Sequence, residues 1–345
     1  MPEDGAFVDA GVRFMLKVLF LYPLWAVNAT FVGRDFEILA RHFTVSKMSY
    51  DRHDPTFPLK IFRQMAVHHL CFAWFGGVHS FYALLAARML GKKIFIVAGG
   101  YDAVYLPELN YGIRCEKDGG WRRTYFSFRH ADGVFAVSQS VASALRLESG
   151  SIKNVSVVYN GVDPARFPAG QFKKRTVLTV GYVTQRNLVI KGFLHFLDAA
   201  RRLPDERFVL VGGGTDGALQ HLKTNAPSNV VFLGTLSNEK TAEIMRQSAV
   251  YVQLSAQESF CVALAEAMLC GCTPVVTRVG ALPEVAGPES LMVDYGDLPA
   301  ISAAIGKALN MPSQSRYRNW VLDHYRLEYR EQALLRLLTS PAFPA

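Results

Sequence analysis

Two carboxylates eight residues apart, Glu258 and Glu266, mark the stretch of this chain whose residue types could do chemistry. Ser259, Phe260, Cys261 and Val262 follow the first, and Gly271 and Pro274-Val-Val276 follow the second. Ser259 suits a helix cap, and Gly271 suits a left-handed stop. The spacing therefore predicts a helix from Ser259 to Gly271, then a buried strand over Cys272–Thr277. Glu258 would stand in the loop before that helix, with Glu266 two turns inside it. The helix start would offer the unpaired N–H groups of Phe260, Cys261 and Val262 with a partial positive charge, an anion site that most often holds phosphate. A free carboxylate beside a phosphate would repel it, so Glu258 is expected to face something else, such as a sugar.

The elements that must position these groups form a repeating pattern. Short apolar runs alternate with helical stretches such as Phe81–Leu90 and Gly192–Arg202, which predicts a parallel α/β architecture. The expected strands are Lys17–Tyr22, Leu70–Phe75, Ile94–Ala98, Gly133–Val137 and Val155–Tyr159 in the first half. In the second half they are Val177–Val180, Phe208–Val211, Val230–Leu233, Val250–Leu254, Thr273–Thr277 and Leu291–Val293. The Pro-, Gly- and charge-bearing stretch from Asp163 to Arg175 reads as the linker. The expected units are residues 1–168, residues 169–315 and a closing helical segment over 316–345. Each half would be doubly wound, with its ligand edge at the carboxyl ends of the strands.

Composition is that of an ordinary globular chain: 345 residues, half of them apolar, about a fifth charged, net charge +8. Cys71, Cys115, Cys261, Cys270 and Cys272 lack zinc-ligand spacing and read as small buried hydrophobes in a reducing compartment. The apolar run Val12–Val27 is too short, and too interrupted by Arg13 and Lys17, to span a membrane, and it has no signal-cleavage pattern. Arg114, Lys117, Arg122, Arg123 and Arg129 interleave with Trp121, Tyr125, Phe126 and Phe128. This cluster is either a solvated face of an amphipathic helix or a surface for anionic lipid or a phosphate-bearing acceptor. No nucleic-acid motif accompanies the charge.

Glu258, Phe260, Glu266-Ala-Met268, Gly271 and Pro274-Val-Val276 together resemble the signature of retaining glycosyltransferases of family 4. Cys261 stands where that family has Gly. The resemblance extends along the chain. Ala131–Ser138 and Asn160-Gly-Val-Asp163 with Phe167 are similar to the family's strand end and pre-linker turn. Gly181 with Lys191-Gly192, the glycines Gly212–Gly214, and Phe232–Leu236 are similar to its donor-side segments. Tyr182 occupies the place of a family Arg. Gly99-Gly100-Tyr101-Asp102 is similar to a His-Gly-x-Asp turn with Gly99 in place of the His. Only Gly33 remains of the family's Gly-Gly loop near Thr30.

The resemblance implies the GT-B fold, with two Rossmann-like domains facing a cleft and a last helix crossing back to the first domain. It implies a metal-independent, retaining hexosyltransferase with a nucleotide-diphosphate sugar as donor and no cofactor. The acceptor would be a glycan, lipid-linked or small-molecule hydroxyl. The expected location is the cytoplasm, with peripheral contact on the inner membrane face. Lys191 and Arg186 would grip the diphosphate, Glu266 the ribose hydroxyls and Glu258 the transferred sugar, while Asp102 would orient sugar or acceptor. Ser259, Phe260, Cys261, Val262, Gly181, Gly213, Leu236 and Thr30 would line the donor site. The implied route is front-face, the departing phosphate taking the acceptor proton. The losses at Gly99 and Tyr182 motivate one alternative, a catalytically weak partner protein that binds a nucleotide sugar. Another is a sugar phosphorylase or epimerase of the same fold.

Overall fold

The computed structural model describes residues 16–149, 152–170, 173–312 and 315–339. Val12–Met15 of the N-terminal apolar run, and Gln171 and Phe172 of the expected linker, lie outside the described residues. Six strands form the first sheet: β1 Lys17–Pro23, β2 Thr44–Tyr50, β3 Leu70–Trp74, β4 Lys93–Ala98, β5 Gly133–Ala136 and β6 Val155–Val157, in the order β2-β1-β3-β4-β5-β6. Six more form the second: β7 Lys174–Val180, β8 Arg207–Val211, β9 Val230–Gly234, β10 Ser248–Gln253, β11 Thr273–Thr277 and β12 Leu291–Val293, in the order β12-β11-β10-β7-β8-β9. Every pairing is parallel.

Helices on both faces of a parallel sheet bury its strands from both sides, so central strands read as continuous apolar runs. β3, Leu-Cys-Phe-Ala-Trp, is buried at all five positions. β2 is absent from the expected strands for the same reason. As an edge strand, Thr-Val-Ser-Lys-Met-Ser-Tyr is only partly covered and carries polar residues throughout.

The strand order fixes where ligands can sit. From β1 the chain winds first to β2 on one side and then to β3 on the other. From β7 it winds to β8 and β9, then returns to β10 on the opposite side. In open α/β sheets the crevice lies at such reversals, outside the carboxyl ends of the strands. The two crevices therefore follow Pro23 and Trp74 in one sheet, and Val180 and Gln253 in the other.

The closing segment is two helices, Ser315–His324 and Leu327–Leu338, rather than one run. The break at Tyr325-Arg326 is a pairing site. Val162 N donates to Tyr325 O (2.9 Å), and Leu327 N donates to Val162 O (3.0 Å). The Asn160-Gly-Val-Asp163 turn thus clips onto the C-terminal segment. Arg330 then crosses to the first sheet's side. Its Nη2 lies 2.7 Å from Oδ2 of Asp35, on the helix Thr30–His42, and its Nη1 donates to the carbonyls of Val158 (2.7 Å) and Tyr159 (2.8 Å). This is the crossing-back that the GT-B resemblance implies.

Candidate active site

The helix after β10 begins later than its sequence suggests. It spans Val262–Leu269, and its N-cap is Cys261 at φ +71, not Ser259. A left-handed residue cannot continue a helix backwards, so the leading N–H groups are those of Val262 and Ala263, while Leu264 N already returns to Cys261 O (3.1 Å). Glu266 consequently lies one turn into the helix, not two. An L-residue is strained in this conformation, which explains why glycine is usual there. Gly271, at φ +86, ends the helix as expected.

Glu258 is 5% exposed and is not a free carboxylate. Its Oε1 receives Lys191 Nζ (2.6 Å), Gln253 Nε2 (3.0 Å) and Ser255 Oγ (3.0 Å). Lys191 comes from the turn after the helix Gln185–Ile190. Its neighbour Gly192 has φ +67, and a Cβ there would lie 1.8 Å from Leu254 O, so only glycine lets this turn close onto the loop after β10. Burial works to lower the pKa of the Lys191 ammonium, but the charge and hydrogen bond of Glu258 outweigh it and hold the group above its ordinary range.

Glu266 is paired across the cleft. Arg34 Nη2, from the helix Thr30–His42, reaches its Oε1 at 2.6 Å, and Arg34 Nη1 donates to Gly161 O (3.1 Å). Burial pushes the Glu266 carboxyl up, and Arg34 pulls it back. Arg34 is not among the expected site residues. Its only sequence signal is its place just after Gly33, near the start of the helix that faces the cleft.

One cavity of about 800 Å³ between the two sheets' carboxyl edges gathers almost every expected site residue. Glu258, Lys191, Arg186, Glu266, Ser259, Cys261, Val262, Gly181, Gly213, Leu236 and Thr30 line it. Phe260 lines it too, but its ring is 2% exposed and packs edge-on against Tyr325 (5.3 Å), so its contribution to the cleft is backbone. Thr30 opens the helix Thr30–His42, whose N-terminus faces the cleft from the first domain. Ser259 turns toward the opposite wall, where a Cβ on Gly100 (φ +117) would lie 1.7 Å from its Oγ.

Arg186, Asp102 and Gly99 have partners that the sequence does not show. Arg186 does not point its charge at the Lys191 neighbourhood. Its guanidinium lies 4.5 Å from the Tyr101 ring centroid and 5.4 Å from that of Tyr111, and its Nη2 donates to Asn110 O (2.9 Å), so it ties the two sides of the cleft together. Asp102 is 3% exposed and lines the neighbouring cavity on the first domain rather than this one. Its carboxylate accepts from the N–H groups of Gly76 (2.7 Å), Gly100 (2.8 Å) and Gly99 (3.4 Å) and so holds the turn together. Burial raises its pKa to about 6 against the pull of those N–H groups. At Gly99, a Cβ would meet the Phe75 ring at 2.1 Å, so no side chain fits there while that ring is in place.

His79 is structural. Its Nε2 contacts Trp74 O (2.9 Å), and burial lowers its pKa to about 4, leaving it neutral. Glu284 bridges the halves by accepting from Gln139 N and Ser140 N (both 3.0 Å) at the start of the helix Gln139–Ser149. A second cavity, of about 790 Å³, opens on the first domain between Trp25, Tyr50, Phe75, Gly76, His79 and Tyr101. Among the described residues, no three His, Cys, Asp or Glu side chains gather as metal ligands, and no helix is long and apolar enough to cross a membrane.

Comparison with known proteins matches this geometry. Residues 34–166 match the family described as Glycosyltransferase Family 4, and residues 174–311 match Glycosyl transferases group 1. The chain is 29% identical over 279 residues to the N-acetyl-alpha-D-glucosaminyl L-malate synthase of Bacillus anthracis, covering 72% of this chain and 69% of that one. It is 28% identical over 240 residues to a component of the phosphatidylinositol N-acetylglucosaminyltransferase of Arabidopsis thaliana, covering 66% of this chain but only 51% of that one. Among solved structures, Anabaena Alr3699/HepE in complex with UDP and glucose superposes with a TM-score of 0.77 over 94% of this chain and 100% of that one, at 17% identity. At that identity the likeness speaks for the fold alone.

Proposed function

Because the chain belongs to the retaining glycosyltransferases of family 4, which transfer a sugar from a nucleotide-sugar donor, we propose that its donor is a uridine-diphosphate hexose and that it binds in the 800 Å³ cleft. The relatives support this choice, since the Anabaena structure is described with UDP and glucose and two curated relatives are named for N-acetylglucosaminyl transfer. The diphosphate rests against the N–H groups of Val262 and Ala263 and beside Lys191. Glu266 accepts the ribose hydroxyls with one carboxylate, held in place by Arg34. Glu258 accepts from hydroxyls of the hexose.

The observation that carries the reading is the pair of cross-braced carboxylates, Glu258 with Lys191 and Glu266 with Arg34, in one cleft between the two crevices. As the bond from the anomeric carbon to the diphosphate breaks, negative charge grows on the leaving oxygen and positive charge on the sugar ring. Lys191 and the helix start stabilise the first, Glu258 the second. Loss of one such preorganised donor typically costs about 10²–10³ in kcat. The front-face route fits these contacts. All three donors to Glu258 meet Oε1, which leaves Oε2 to the hexose hydroxyls, and Asp102 is held by three backbone N–H groups outside the donor cleft. The acceptor hydroxyl adds on the face the diphosphate leaves, and its proton passes to the departing phosphate oxygen.

The acceptor enters through the 790 Å³ cavity, which shares Tyr101 with the donor cleft. Trp25, 71% exposed, leans on Phe75 at 4.8 Å and offers an aromatic face to an apolar or sugar-ring surface. Nearby, Arg114, Arg122 and Arg129 surround a smaller cavity of about 440 Å³ with Trp121, Tyr125 and Phe126. That arrangement supports a phosphate-bearing, lipid-linked acceptor and peripheral contact with an anionic membrane face.

The test is UDP release from UDP-glucose by the wild type, Glu258→Gln and Lys191→Met, with the product's anomeric configuration read by proton NMR. The expected result is an α product and a drop of roughly a hundred-fold or more in each variant. A β product, or variants at the wild-type rate, would contradict the assignment. Phosphate-dependent turnover with no nucleotide would instead support a phosphorylase.

A further inference from the structure

Between β4 and the helix Gly120–His130 the chain makes a long excursion, residues 99–119, from which Tyr101 and Tyr111 line the donor cleft. Leu106 N donates to Tyr111 O (2.9 Å) and Tyr111 N to Leu106 O (3.0 Å), which fixes the backbone at Tyr111. The Tyr111 ring stands edge-on to Tyr101 at 5.3 Å, and Arg186 of the opposite domain lies over both rings. Tyr111 is thereby held as a rigid wall of the donor cavity, facing Lys191, Glu258 and Ser259.

The other groups at this end of the cleft are committed elsewhere. Tyr101 donates its hydroxyl to Glu116 (3.0 Å), and Asp102 is taken up by backbone N–H groups. Gly99 has no side chain, and the Phe75 ring fills the space one would need. The Tyr111 hydroxyl reaches toward the Ser259 side chain and feels the charges of Lys191, Glu258 and Asp102. Burial raises its pKa, so at neutral pH it stays a phenol that can both donate and accept a hydrogen bond.

We propose that Tyr111 is a hexose-binding residue, its hydroxyl bonding a hydroxyl of the transferred sugar from the side of the cleft opposite Glu258. The inference rests on the donor-site reading above. It makes the 99–119 excursion part of the sugar specificity, and it supplies a polar group where the strand end itself offers none.

Tyr111→Phe separates this role from a structural one, because it keeps the ring, the contact with Arg186 and the backbone bridge. UDP carries no hexose, so the variant should bind UDP within about two-fold of the wild type, measured by calorimetry, and should melt at the same temperature. Its kcat/KM for UDP-glucose, followed as UDP release, should fall roughly ten- to hundred-fold, the usual effect of one buried polar contact. An unchanged kcat/KM overturns the inference. So does an equal loss of UDP affinity, which would make Tyr111 a brace for the cleft. A wild type that binds neither UDP nor UDP-glucose overturns the donor-site reading itself, and the inference with it.

Discussion

Replacing Arg330 by Met tests how the last helix is held to the first domain. The Arg330 and Asp35 side chains are 2% and 0% exposed. Arg330 meets both carboxylate oxygens, donates to two carbonyls and lies 5.5 Å from the Trp74 ring. Removing one member of a buried ion pair strands the other charge, at a typical cost of about 3–5 kcal/mol. For domains of this size each kcal/mol moves the midpoint by about 2–4 °C, so Arg330→Met should melt roughly 10 °C below the wild type. Asp35→Leu should cost a similar amount. The double variant leaves no stranded charge, only the carbonyls of Val158 and Tyr159 short of a donor, so its loss should be clearly smaller than the sum of the two. Urea and thermal unfolding of all four proteins measure the cycle. A single variant within about 1 kcal/mol of the wild type, or strictly additive losses, would refute a buried pair as the clasp.

Three further outcomes are expected. Asp102 has a folded pKa of about 6, against about 3.9 for an unfolded carboxyl. The folded state therefore holds this proton after the unfolded state has lost it, and the associated stability, full below about pH 4, is lost as pH rises to about 6, on the order of 3 kcal/mol. Asp102→Asn should abolish that slope in urea unfolding between pH 4 and 7, and an identical slope in both proteins would count against the assignment. Cys261→Gly should relieve the left-handed strain and raise stability by about 1 kcal/mol, read from the melting temperature; a destabilised variant would mean that the thiol's packing outweighs the strain. Turnover should survive EDTA, and loss restored by Mg²⁺ or Mn²⁺ would show that the donor diphosphate needs a cation after all.

The strands of both sheets were legible because burial on two faces demands unbroken apolar runs such as Leu70–Trp74. β2 was not, since an edge strand is free of that demand. Glu258 and Glu266 could be found because chemistry fixes their types and spacing within one segment, and Lys191 because Gly192 follows it in a second one. Arg34 could not, since its partnership with Glu266 spans 232 residues and exists only once the two crevices face each other. The partners of Asp102 and Arg186 were hidden for a related reason. A charged residue beside a site looks alike in sequence whether it meets substrate, backbone N–H groups or two tyrosines. The start of the helix at Val262 depended on the φ of Cys261, which a cysteine does not advertise as a glycine would.

A uridine diphosphate bound in this cleft would set its ribose on Glu266. The decisive experiment is calorimetric titration of UDP, GDP and ADP into the wild type and Glu266→Ala. The expected result is tight binding of UDP over the other two, weakened at least ten-fold in the variant, as loss of hydrogen bonds to a charged acceptor implies. Equal UDP affinity in both proteins, or no binding by the wild type, would contradict it.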